Sequence, residues 1–133
     1  MNKIDILAIG NISTDVFIKI QEAEVECDTH GNHCKLCLNY GGKIPYESNK
    51  ICHAGGNSSN FAIGTSRLGI KSALMANMGD DKDGAECLNI LKKENVDTNF
   101  VKIESGKPTS LHYVLWYEKE HTILIKHEDY KYE

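Results

Sequence analysis

From residue 55 onward the chain alternates between helix-period and strand-like patterns, and this alternation limits the possible folds more than any other feature. Gly55-Gly56 reads as a turn, with Asn57 or Ser58 as a helix N-cap. Phe61, Ile63 and Leu68, set among Ala62, Gly64, Thr65 and Ser66, predict a closely packed helix that ends near Arg67 with Gly69 just past it. Ser72 to Met78 is the next predicted strand, and Gly79-Asp80-Asp81 the turn after it. Asp83 to Asn95 predicts an amphipathic helix with Cys87, Leu88 and Leu91 on one face. Val101 to Ile103 follows as a short strand, and Leu111 to Tyr117 with Thr122 to Lys126 flank Glu118-Lys119-Glu120 as a β-hairpin. Upstream, Ile4 to Ile9 is a compact apolar run closed by Gly10-Asn11, which suits a strand covered on both faces. Asp15 to Ile20 predicts a second, half-exposed strand. Strand, helix, strand, helix, strand is the order of an α/β fold with right-handed crossovers.

With 133 residues the chain fits one small domain and is short for a two-substrate enzyme. Hydrophobic residues at 41% and charged residues at 26% place it among folded globular proteins rather than disordered ones. A net charge of -4 leaves no basic surplus to neutralise a nucleic acid or an anionic membrane, so neither is an expected partner. A small phosphate-bearing ligand needs only a local site and is not excluded by that balance. The apolar stretch from Ile6 to Ile9 is too short for a signal segment or a membrane span, so the expected location is cytoplasmic. In that compartment five cysteines read as free thiols or metal ligands rather than disulfides.

Four motifs occur in order along the chain. The first is Asp5-Ile6-Leu7-Ala8-Ile9-Gly10-Asn11 with Asp15. The second is Gly55-Gly56-Asn57-Ser58-Ser59-Asn60 leading to Arg67-Leu68-Gly69. The third is Met78-Gly79-Asp80-Asp81 with Gly84, and the fourth Asn95-Val96-Asp97-Thr98 followed by Lys107-Pro108-Thr109. Singly each is weak; together and at this spacing they resemble the N-terminal part of the ribokinase-like (PfkB) carbohydrate kinases. The resemblance implies part of an α/β/α sandwich over residues 1–133, with residues 16–53 forming a small β lid built from a hairpin insert. It implies ATP-dependent phosphorylation of a sugar or nucleoside hydroxyl, with Asp15, Gly56 and Asn60 as the sugar-contacting set and Gly55 and Ser13 beside them. It also allows a homodimer formed through the lid.

The chemistry of these residues agrees with that implication. Glycine at 55 and 56 lets backbone N–H groups approach a ligand closely. Asp15 follows the first strand, at the edge where α/β sheets place ligands, and a carboxylate there can accept from two neighbouring hydroxyls. Asn60 offers both a donor and an acceptor. The same residues also admit a purely structural reading: Asp15 in a turn, Asn60 as a cap, Gly55-Gly56 as a tight connection, and Gly79-Asp80-Asp81 as a structural turn. Ser13 stands where many sugar kinases carry asparagine, and Asn57 and Ser58 replace the Lys and Gly of ribokinase-type members. Ribose, fructose, another hexose or a nucleoside all stay open as acceptors.

The family's anion hole and catalytic base, in a motif like Asp-Thr-x-Gly-Ala-Gly-Asp, have no counterpart in these residues, nor is there a Walker A loop or a Rossmann fingerprint. No catalytic residue is therefore expected here. The ATP and Mg site is expected in a missing C-terminal half, with the 133 residues inactive alone as a truncated product or incomplete reading frame. A sheet cut partway would expose an edge and apolar surface, so poor solubility is a further expectation.

Between the second strand and the Gly-Gly turn, Cys27, His30, Cys34 and Cys37 have knuckle-like spacing that suits tetrahedral zinc, although the gap between the pairs is short. The alternative is a mobile polar hairpin tip with free thiols. Cys52 and Cys87 read as packing residues, His53 as an exposed loop histidine, and His112, His121 and His127 as surface residues of the terminal hairpin. A second functional reading is a non-catalytic sugar-binding or dimerisation module, with structural zinc in the tip. A zinc-binding adaptor that kept only the fold is a third.

Overall fold

The computed structural model describes residues 3–132; Met1, Asn2 and Glu133 lie outside the described residues. Strands β1 (Ile6–Ile9), β2 (Ser13–Ile20), β3 (Glu24–Glu26), β4 (Lys35–Cys37) and β5 (Tyr46–Gly55) precede helix α1 (Asn57–Arg67). Strand β6 (Ser72–Gly79), helix α2 (Lys82–Lys93) and strands β7 (Val101–Glu104), β8 (Leu111–Tyr117) and β9 (Glu120–Lys126) follow. Three strands form a parallel sheet in the order β1-β6-β7, as the alternation with helices predicts. A second sheet, ordered β5-β2-β8-β9, is mostly antiparallel, and β3 with β4 makes a short separate ribbon.

Burial explains why the two kinds of sheet coexist. Strand β6 is buried along nearly its whole length, with Leu74 and Met78 fully enclosed, and its apolar run from Ala73 to Ala76 is flanked by buried Ser72 and Asn77. Helix α2 turns Cys87 and Leu91 into the same core and α1 contributes Ala62, while Leu88 packs at its margin. Each large aliphatic side chain enclosed here contributes about 1.5–3 kcal/mol. Strand β1 stands at the sheet's edge with Leu7 and Ile9 exposed. Among the described residues no helix is long and apolar enough to cross a membrane.

Both helices differ from expectation at an end. The N-cap of α1 is Gly56, which makes no side-chain capping bond, rather than Asn57 or Ser58. The serines are engaged elsewhere: Ser58 Oγ donates to the Asn11 carbonyl (2.7 Å) and Ser59 Oγ to that of Ala54 (2.6 Å). Helix α2 stops at Lys93 because Asn95 adopts a left-handed conformation (φ 56°), a geometry asparagine tolerates just past a helix end.

The Gly79-Asp80-Asp81 turn is structural, as one of its readings holds. Asp81 caps α2 by accepting from the Gly84 N–H (2.9 Å), and it also accepts from the backbone N–H (2.8 Å) and hydroxyl (2.6 Å) of Thr109. Partial burial pushes its carboxyl up, but the bonds from Thr109 and Gly84 outweigh this and hold it below the ordinary value of 3.8. A depressed folded-state value gives stability that is complete above the ordinary aspartate range and lost as pH falls through and below it. Asp81→Ala should cost about 1–2 kcal/mol at neutral pH and flatten the acid limb of the stability curve, as read by urea denaturation between pH 7 and 2.5.

Candidate functional site

Asp15 is the third residue of β2, where that strand leaves the carboxyl end of β1 and enters the second sheet. Its Oδ1 accepts from Ser13 Oγ (2.9 Å) and lies 3.3 Å from Nδ1 of His112. Its Oδ2 lies against the backbone of Gly55, so closely that a Cβ on residue 55 would overlap it. Gly56 carries φ 98°, and a Cβ there would stand 2.7 Å from the Asn11 carbonyl. Both glycines are required by close approach, and Gly56 also by backbone conformation. Asn60 sits in the first turn of α1, with its N–H bonded to the Gly56 carbonyl and its side chain exposed. The structure thus gathers Ser13, Asp15, Gly55 and Gly56 directly, and Asn60 follows on the helix they open.

A second group holds this arrangement from beneath. Ala54, in a left-handed conformation at φ 60°, donates its N–H to Cys87 Sγ (3.1 Å). Cys87 Sγ in turn lies 3.7 Å from both the Ser13 carbonyl and Thr14 Oγ1. Burial first of all drives its thiol pKa up, so it is a packing group that joins α2 to both site strands, not a nucleophile. His53, expected on an exposed loop, instead lies on β5 and pairs its Nδ1 with Thr14 Oγ1 (3.0 Å). The strand is longer than its sequence suggests because β2 pairs with it from Ile20 back to Ser13.

His112 is likewise not a surface residue. The parallel register of β2 with β8 sets it opposite Asp15, its side chain is only 16% exposed, and its ring stands edge-on to that of His127 at 5.0 Å. Sequence reasoning missed it, although the signal was present: on β8 the period of two places His112 on the face of Val114, which is buried. His121 is exposed, as expected. Along the same face Phe17, Val114, Trp116 and Ile123 extend from Asp15 as an apolar cleft of about 420 Å³, with Lys119 and His121 at its rim.

The insert corrects the reading of its cysteines. Cys27 and Cys34 are joined in a disulfide, while Cys37, Cys52 and Cys87 are free. The loop between the joined pair is tightened by Asp28, whose carboxylate accepts from the N–H groups of His30 (3.0 Å) and Asn32 (2.7 Å), and by left-handed Gly31 and His33. This brings Cys27 and Cys34 together and leaves Cys37 apart on β4 opposite Glu24. Among the described residues no three His, Cys, Asp or Glu side chains are grouped as a metal site requires, so the set Cys27, His30, Cys34 and Cys37 is not assembled as zinc ligands.

A match to the pfkB family carbohydrate kinase model extends over residues 21–131. The chain belongs to that family. A Pyrococcus horikoshii protein described as a sugar kinase is 42% identical over 62 residues, covering 47% of this chain and 20% of that protein. The matched stretch therefore spans about a fifth of that relative's length. Among solved structures, Arabidopsis thaliana ribokinase complexed with ribose and ATP superposes with a TM-score of 0.71 at 18% identity, covering 91% of this chain and 35% of that one. The Methanocaldococcus jannaschii nucleoside kinase gives 0.72 at 16% identity, covering 91% and 36%. These likenesses establish the ribokinase-like α/β fold for this pfkB family member.

The glycines of the site and of the helix α1 separate two roles. Gly55→Ala should cost about 1–3 kcal/mol because the new methyl meets the Asp15 carboxylate. Gly64→Ala, where nothing lies within 4 Å of the added carbon, should instead stabilise α1 by up to about 1 kcal/mol. Paired urea denaturation curves measure both.

Proposed function

We propose that these residues form the acceptor-binding part of an ATP-dependent kinase that phosphorylates a hydroxyl of a sugar or nucleoside. The observation that supports this best is the Asp15 carboxylate, anchored through Oδ1 and pressed through Oδ2 against a glycine backbone at the start of α1. A carboxylate in that position is a paired acceptor for neighbouring hydroxyls, and an analogue lacking them would leave it unsatisfied. Gly55 and Gly56 let the Asp15 carboxylate and the Asn11 carbonyl pack against the turn, Ser13 steadies the carboxylate, and Asn60 supplies a donor and acceptor from the helix. The segment 16–53 serves as a lid over the acceptor.

The phosphoryl donor is not held by these residues. Gly79 and Gly84, the nearest glycine-rich turn, do not form an open cradle: a Cβ at Gly79 would overlap the Lys107 carbonyl, and one at Gly84 would lie 2.8 Å from Thr109 Oγ1. In this reading the 133 residues bind the acceptor and transfer no phosphoryl group on their own.

A second reading, a dimerisation module, draws on the apolar face of the sheet that the lid strands β2 and β5 share with β8 and β9, where Trp116, Ile123 and Ile125 are exposed.

Isothermal titration with D-ribose, D-fructose and adenosine tests the leading proposal. Saturable binding of one of them should weaken at least about 10-fold in Asp15→Ala, the loss expected when a hydrogen-bonded charged group is removed. Binding that is unaltered in Asp15→Ala, or a folded chain that binds none of the three while sedimenting as a dimer, would favour the second reading. Addition of Mg-ATP should yield no phosphorylated acceptor.

A further inference from the structure

We propose that His112 is a positioning residue for the acceptor carboxylate, holding Asp15 Oδ1 through Nδ1–H so that Oδ2 alone is presented to the ligand. The inference rests on the acceptor-binding reading of Asp15. It starts from the 3.3 Å approach of His112 Nδ1 to Asp15 Oδ1. A carboxylate oxygen there only accepts, so a lone pair on Nδ1 would face lone pairs; the proton of a neutral imidazole therefore belongs on Nδ1. The other nitrogen agrees with this. Among the described residues, His112 Nε2 is the buried side-chain atom without a hydrogen-bond partner. A bare acceptor there costs less than a charged N–H with nothing to receive it. The groups facing the ring are Asp15 from β2 and His127, which follows β9 and stands edge-on at 86°.

Ser13 Oγ donates to the same oxygen at 2.9 Å, so Oδ1 is bonded from β2 and approached by the His112 ring from β8. Oδ2 faces Gly55 at the start of the Gly-Gly turn. His112 thereby couples β8 to the orientation of a carboxylate on β2, 97 residues earlier in the chain (112 minus 15). Its contribution is to fix which oxygen the acceptor meets.

The test has two arms. Long-range ¹H–¹⁵N correlation spectra of the chain without ligand should show His112 in the Nδ1–H form, shifting toward the Nε2–H form in Asp15→Ala. An Nε2–H or doubly protonated ring in the unaltered chain at pH 7.5 would overturn the proposal, whether or not any acceptor binds. In the second arm, titration with D-ribose, D-fructose and adenosine should show binding weakened roughly 10-fold in His112→Ala and largely restored in His112→Asn, whose amide nitrogen can replace Nδ1. His112→Gln, which reaches the Nε2 position instead, should not restore it. Loss of binding in Asp15→Ala with none in His112→Ala would sink this proposal and leave the acceptor reading standing. No loss in either variant would remove both. Backbone amide spectra of each variant establish that it is folded.

Discussion

Everything at the site depends on a carboxylate lying against a residue that has no side chain. Asp15 Oδ2 occupies the space in which any residue but glycine at 55 would place its Cβ. That contact can form only if β5 delivers Gly55 to the start of β2, and the register between the strands does so by pairing Ser13 with Gly55 and Asp15 with Cys52 across a bulge. The bulge and the left-handed Ala54 are local departures from regular strand geometry. The enclosed Cys87, the Ser59 bond to Ala54 and the Ser58 bond to Asn11 are what hold them in place. The helix, the two strands and the loop after β1 therefore meet at one point, and the site is the product of their packing rather than of a single loop.

That dependence divides the molecule into two parts of different character. The parallel sheet with its helices is a rigid base, in which β6 is almost wholly enclosed and Asp81 ties the end of α2 to the segment before β8. The other sheet carries its apolar residues on a face with little cover, and the ribbon beyond it is exposed except where Leu36 and Cys37 are half-buried.

Much of the fold was legible because it is written in local patterns. The apolar run of β6, the helix stripe of Cys87, Leu88 and Leu91, and the glycine past α1 each announce an element through neighbours in sequence. The ordered motifs also named Ser13, Asp15, Gly55, Gly56 and Asn60, four of which the structure brings into one cluster. What escaped was set by distance along the chain. His112 joins Asp15 only through the β2–β8 register, and His53 joins Thr14 only because pairing with β2 makes a strand of residues read from sequence as insert and loop. The Cys27–Cys34 bond escaped for a different reason: an Asp28-centred turn brings together two residues whose spacing, read as a ligand pattern, pointed to a metal.

The central claim is that the Asp15 carboxylate and the Gly55-Gly56 turn form the acceptor site. The most direct measurement is a titration of ¹⁵N-labelled chain with D-ribose, D-fructose and adenosine, followed through backbone amide shifts. The account requires the largest changes at Ser13, Asp15, Gly55, Gly56 and Asn60, with the residues around Gly79 unmoved. Changes centred on the Cys27–Cys34 loop or the Trp116 face, with the Gly-Gly turn silent, would contradict it.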